Sequence, residues 1–149
     1  MSGIAVVPPP TILVLDDFPD SADALCEWLT LEGWKAQCAV SADEALQKLR
    51  VDLPAVVVME PWLRTGSAMG VAAAVRQAGG DNLLVGLTAW GRAEDDLVCG
   101  PTLFDVMLRK PVDGLALREA LDHHPRASRL ARYRAPPSSG AAPPASLPA

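Results

Sequence analysis

The chain has 149 residues, half of them apolar, with 18 acidic against 13 basic side chains and a net charge of −5. That is enough for one hydrophobic core, and no apolar run approaches the roughly 18 residues that a membrane span needs. Residues 1–124 hold all 18 acids against 9 basic residues, a charge of −9, which argues against nucleic-acid binding by the body; residues 125–149 hold Arg126, Arg129, Arg132 and Arg134 and no acid.

The leader, residues 1–10, ends in three prolines and lacks the basic start of a signal peptide, so it is expected to be flexible. "TILVLDD" from Thr11 predicts a strand that ends on two acids, Asp16 and Asp17. "DSADALCEWLTLEG" predicts a helix capped by Asp20 or Ser21, with Ala22, Leu25, Cys26 and Leu29 on one face and Gly33 as the stop. "WKAQCAV" alternates as a second strand, and Ser41 with Glu44 forms a capping box that opens the next helix. Val56–Met59 is an apolar, mostly β-branched third strand that runs into Glu60, Pro61 and Trp62.

A small-residue helix is expected from about Ser67 to Ala78, ended by Gly79 and Gly80. "NLLVGLT" gives a fourth strand ending at Thr88, and "GRAEDDLV" a helix cut short by Gly100 and Pro101. "FDVMLRK" gives a fifth strand ending at Lys110, and a closing helix follows with Pro111 or Val112 near its first turn. From residue 125 the composition turns to Pro, Ala, Ser and Arg, which cannot bury enough apolar surface to offset ordering entropy. The expected organisation is therefore leader 1–10, domain 11–124 and disordered tail 125–149, with a short helical extension over Ala127–Tyr133 or a basic run folded back on the body as alternatives. Cys26, Cys38 and Cys99 form no CxxC pair and suit reduced core thiols in a cytoplasmic protein.

Strands alternating with helices imply a parallel sheet covered on both faces, with the functional edge at the carboxyl ends of the strands. That edge collects Asp16, Asp17, Glu60, Thr88 and Lys110. Three converging carboxylates need a cation or a proton among them; Lys110 supplies one charge, and a hard divalent ion could supply more.

The segments "ILVLDDFPDSADAL", "GLTAWGRAEDD" and "FDVMLRKPVD" resemble the receiver domains of two-component response regulators, over about three quarters of the chain. The resemblance implies a flavodoxin-like, doubly wound sheet of order 2-1-3-4-5. It also implies a Mg²⁺ site built from Asp16, Asp17, the acid at the third strand and the Trp62 backbone carbonyl. Thr88 and Lys110 would grip the phosphoryl group, and Met107 stands at the switch position.

At the position where the family carries its phosphoaccepting aspartate, this chain has Glu60. The extra methylene carries the carboxylate roughly 1.5 Å further out. A misplacement of about 1 Å can cost on the order of a hundredfold in transfer. Glu60 is instead expected to bond Thr88 or pair with Lys110, with one charge where a phosphoryl group carries about −1.5 to −2. Arg64 and Ala68 replace the usual proline and glycine; Trp62, Arg64 and Trp90 stand at the pocket mouth, with packing of the two indoles on apolar neighbours as the alternative.

The expectation is an atypical, stand-alone receiver acting as a phosphorylation-independent interaction module, with no catalytic residue and no required cofactor, Mg²⁺ binding being weakened. Its partner would be a histidine kinase, another signalling protein or a second copy of itself. The alternative is a Mg²⁺-dependent receiver that still accepts phosphoryl groups from a histidine kinase. A phosphatase with an aspartyl nucleophile fits poorly, because Phe18 and Pro19 follow the acid pair.

Overall fold

The computed structural model describes residues 10–64, 66–78, 80–88 and 103–127, with only the backbone of Gly66, Ser67 and Thr88. The leader through residue 9, Trp90, Cys99, the helix expected over "GRAEDDLV" with its Gly100–Pro101 break, and the tail from residue 128 lie outside the described residues.

Five strands build the main sheet: β1 (Thr11–Leu15), β2 (Lys35–Ala39), β3 (Val56–Met59), β6 (Leu83–Thr88) and β7 (Val106–Arg109). They are parallel and lie in the order β2-β1-β3-β6-β7, which is the expected 2-1-3-4-5 when sheet strands alone are counted. Side chains alternate between the two faces of a strand, so each central strand must be apolar at every position to serve two cores. Ile12 and Val14 of β1, Val56 and Val58 of β3, and Leu83, Val85 and Leu87 of β6 face one cluster, with Leu25, Trp28 and Leu29 of α1 (Pro19–Leu31) and Leu117 and Leu121 of the closing helix (Gly114–His123). Leu13, Leu15, Val57, Met59 and Leu84 face the other, with Ala45 of α2 (Ala42–Val51) and Val71, Ala72 and Val75 of α3 (Met69–Gln77).

The helix ends show where local chemistry overrode the predicted boundaries. α1 begins at Pro19 with Phe18 as its N-cap residue, not at Asp20 or Ser21. Asp16 Oδ1 accepts the Phe18 N–H at 3.0 Å, turning the chain early, and proline suits the first helical position because it has no N–H to leave orphaned. The closing helix begins at Gly114, past Pro111 and Val112, because the Asp113 carboxylate caps the Leu115 N–H at 2.9 Å. Ser41 caps α2 as expected, accepting from Glu44 N at 3.1 Å, while the Glu44 carboxylate turns to Lys48 at 3.6 Å. Gly33 ends α1 at φ 96°, in the left-handed region that glycine enters without a Cβ penalty.

The body extends beyond the boundary expected at residue 124. Pro125–Ala127 form a 3₁₀ turn, Ala127 is buried in the core, and Arg126 Nε pairs with Asp105 Oδ1 at 3.2 Å. Asp105 also binds Arg76 Nη2 at 2.8 Å and the Leu84 N–H at 2.9 Å, so the first arginine of the basic segment is part of the domain. Of the three described tryptophans, Trp28 and Trp34 are buried and Trp62 is exposed. Cys26 and Cys38 are free and half-buried, packed against the first cluster rather than within it.

Candidate functional site at the carboxyl edge of the sheet

The register of the sheet brings the acids together. Leu15 and Met59 stand side by side at the ends of β1 and β3, so Asp16 and Glu60 leave the sheet at one level, while β6 passes Gly86 beside them and runs on to Thr88. The Glu60 N–H donates to Leu15 O at 2.9 Å and the Asp16 N–H to Ala39 O at 3.1 Å, which fixes both backbones where the strands end. Lys110 follows β7 immediately, at a cis Lys110–Pro111 peptide.

Lys110 closes the edge by reaching Asp16 and Glu60. Its Nζ donates to Asp16 Oδ2 at 2.6 Å and lies 3.5 Å from Glu60 Oε2. All three side chains are nearly water-free, at 6 % exposure for Lys110, 4 % for Asp16 and 10 % for Glu60. Glu60 Oε1 accepts the Trp62 N–H at 3.3 Å. Burial pushes the Glu60 carboxyl above the usual carboxylate range, even though the Lys110 ammonium and the Trp62 N–H pull the other way. Of the two contacts expected for Glu60, the one to Lys110 is present. For Thr88 the backbone alone is described, paired with Arg109 across β6 and β7.

The second acid has a different partner. After Glu60 and Pro61 the chain makes a small hairpin, β4 (Trp62–Leu63) against β5 (Gly66–Ser67), with Leu63 opposite Gly66. Its tip lays Arg64 over the β1–α1 connection. The Arg64 N–H donates to Asp17 Oδ2, Nη2 donates to the Asp17 carbonyl at 3.0 Å, and Nε lies 3.7 Å from Oδ2. The guanidinium sits 4.1 Å from the centre of the Phe18 ring, a cation–π distance. The Asp17 side chain is only 8 % exposed beneath this arm.

Arg64 therefore covers Asp17 rather than merely lining the pocket mouth, and the hairpin that carries it was not foreseen. A turn signal was present in "RTG" between "WL" and "SA", but two-residue strands are too short to betray a period. Trp62, whose carbonyl was expected as a metal ligand, stands in β4 opposite Ser67. Among the described residues, no group of three or more His, Cys, Asp or Glu side chains is placed to hold a metal ion. In this arrangement Asp16 pairs with Lys110 and Asp17 with Arg64.

Met107 packs inward. A Cβ at Gly86 would collide with its thioether and press on Phe104, so the glycine makes room for this side chain against the second cluster.

Comparison with solved structures gives the class. The chain superposes on the response regulator TrrA of Thermotoga maritima, a structure in complex with Mg²⁺ and BeF, with a TM-score of 0.66 and 27 % identity over 76 % of this chain and 96 % of that one. A receiver domain protein of Clostridium thermocellum matches at TM-score 0.69 and 21 % identity, covering 83 % of this chain and 95 % of that one. A CheY-like receiver of Methanospirillum hungatei JF-1 matches at TM-score 0.69 and 19 % identity, over 76 % and 91 %. The fold is the receiver-domain fold of two-component response regulators.

No protein-family model matches the chain. It is 35 % identical over 108 residues to the uncharacterized 14.6 kDa protein in the sodA1 3′ region of Leptolyngbya boryana, covering 71 % of this chain and 82 % of that protein. The chain belongs to the same family as that protein.

Proposed function

We propose that this protein is an atypical receiver that works as a phosphorylation-independent interaction module in two-component signalling. In this reading Glu60 occupies the acceptor position permanently and stands in for part of the phosphoryl charge. The observation that carries it is the buried contact between Glu60 and Lys110, 3.5 Å apart, with Lys110 held in turn by Asp16. Asp16 and Glu60 occupy two of the three N–H donors of Lys110, and the Glu60 carboxylate already faces the ammonium that an incoming phosphoryl group would need.

The partner is a histidine kinase, another signalling protein or a second copy of the chain, met in the cytoplasm. Among the described residues no helix is long and apolar enough to cross a membrane.

Beryllofluoride with Mg²⁺ tests the reading, since it mimics a phosphoryl group on an acceptor carboxylate. In amide NMR spectra of the full chain, Glu60, Trp62 and Lys110 are expected to keep their positions on its addition. Saturable shifts centred on those three residues would overturn the proposal.

A further inference from the structure

The cluster at the sheet edge has a charge to settle. Asp16, Asp17 and Glu60 carry three negative charges when ionised, and Lys110 returns one, which leaves two: the charge of a single divalent ion. Lys110 is engaged by Asp16 and Glu60. Asp17, nearly buried, is met instead by the tip of the β4–β5 hairpin.

We infer that Arg64 is the resident cation of this pocket, a built-in replacement for a divalent ion, and that it decides what the pocket will bind. Three contacts make the arm a strap rather than a passing ion pair. Its main-chain N–H is spent on the Asp17 carboxylate, its Nη2 on the Asp17 carbonyl, and its guanidinium plane on the Phe18 ring. An isolated exposed pair at 3.7 Å would contribute little, but a planar fork held at several points loses less freedom per bond than a free side chain would. The strap joins the loop after β3 to the loop after β1.

The hairpin is held by main-chain pairing of Trp62 with Ser67 and Leu63 with Gly66, and the Arg64 N–H is main chain too. Truncating the Arg64 side chain, which is 64 % exposed, therefore removes the cation without dismantling the loop. What remains is the uncompensated pair of charges, open to the solvent side.

This inference rests on the receiver reading of the pocket, but it is tested by metal alone, with no phosphoryl mimic. Isothermal titration of the full chain with MgCl₂ compares the wild type, Arg64→Ala and the double variant Arg64→Ala/Asp17→Asn. Arg64→Ala is expected to bind Mg²⁺ at least about tenfold more tightly than the wild type. The double variant is expected to lose that gain, which places the ion on Asp17. Equal Mg²⁺ affinity in wild type and Arg64→Ala, whether measurable or not, overturns the inference, as does a gain that survives in the double variant. A wild type that binds Mg²⁺ as well as Arg64→Ala yet gives no response to beryllofluoride would sink the strap and leave the phosphorylation-independent reading intact.

Discussion

Replacing Lys110 with methionine is expected to destabilise the domain by about 3–5 kcal/mol at neutral pH, the range for removing one partner from a buried ion pair. Methionine keeps most of the stem and its packing, so the loss reports the charge. Asp16 and Glu60 would be left facing each other in a site that admits almost no water, with no cation between them. With the Lys110 charge gone, burial pushes the Glu60 carboxyl up without that opposition, so the folded variant binds this proton more tightly than its unfolded chain. By linkage the variant gains stability as pH falls, and its deficit against the wild type shrinks toward acid pH. Urea denaturation at neutral and mildly acidic pH measures both. A deficit under about 1 kcal/mol at neutral pH, typical of exposed pairs, would mean that Lys110 is not buried among these acids.

Glu60→Gln should behave in the opposite way. The Glu60 carboxyl lies above its ordinary value of 4.5 because burial penalises the charged form more than Lys110 and the Trp62 N–H reward it. Between 4.5 and the raised folded value, the native state binds more protons at this residue than the unfolded state does. The contribution of Glu60 to stability is therefore fully present below 4.5 and is lost as pH rises through the folded value. Glutamine fixes the neutral form and removes that decline. The variant is expected to gain on the wild type as pH rises from 4.5 through the raised folded value and to keep that gain above it, followed by unfolding free energies at several pH values. A gain that shrinks with rising pH would contradict the assignment. The physical meaning is that Glu60 at neutral pH is held against a desolvation cost, which suits a residue kept for its charge at a functional site rather than for stability.

Much of the architecture was legible because parallel strands buried on both faces have to be apolar throughout. Val56–Met59 and Leu83–Leu87 could hardly be anything else, and the strand exits then pointed to Asp16, Glu60 and Lys110 as neighbours. What could not be read from the sequence depended on competition between nearby residues of the same type. Asp16, Asp20 and Ser21 could each have set the start of α1, and Asp16 decided it by bonding the Phe18 N–H and turning the chain before Pro19. Asp113 settled the closing helix in the same manner.

The Arg64 arm was hidden for a different reason. Position 64 was legible as a departure at the pocket mouth, but its contact with Asp17 joins residues 47 apart through a hairpin of two-residue strands. The Arg76–Asp105–Arg126 network was hidden likewise, since Asp105 read as a residue within the fifth strand and Arg126 as a tail arginine.

A filled and closed acceptor position blocks phosphoryl transfer to Glu60. Wild-type protein incubated with a small acyl phosphate donor and Mg²⁺ is expected to keep its intact mass, with no acyl phosphate on Glu60. Stoichiometric, hydroxylamine-labile phosphorylation mapped to Glu60 by peptide fragmentation would contradict the account.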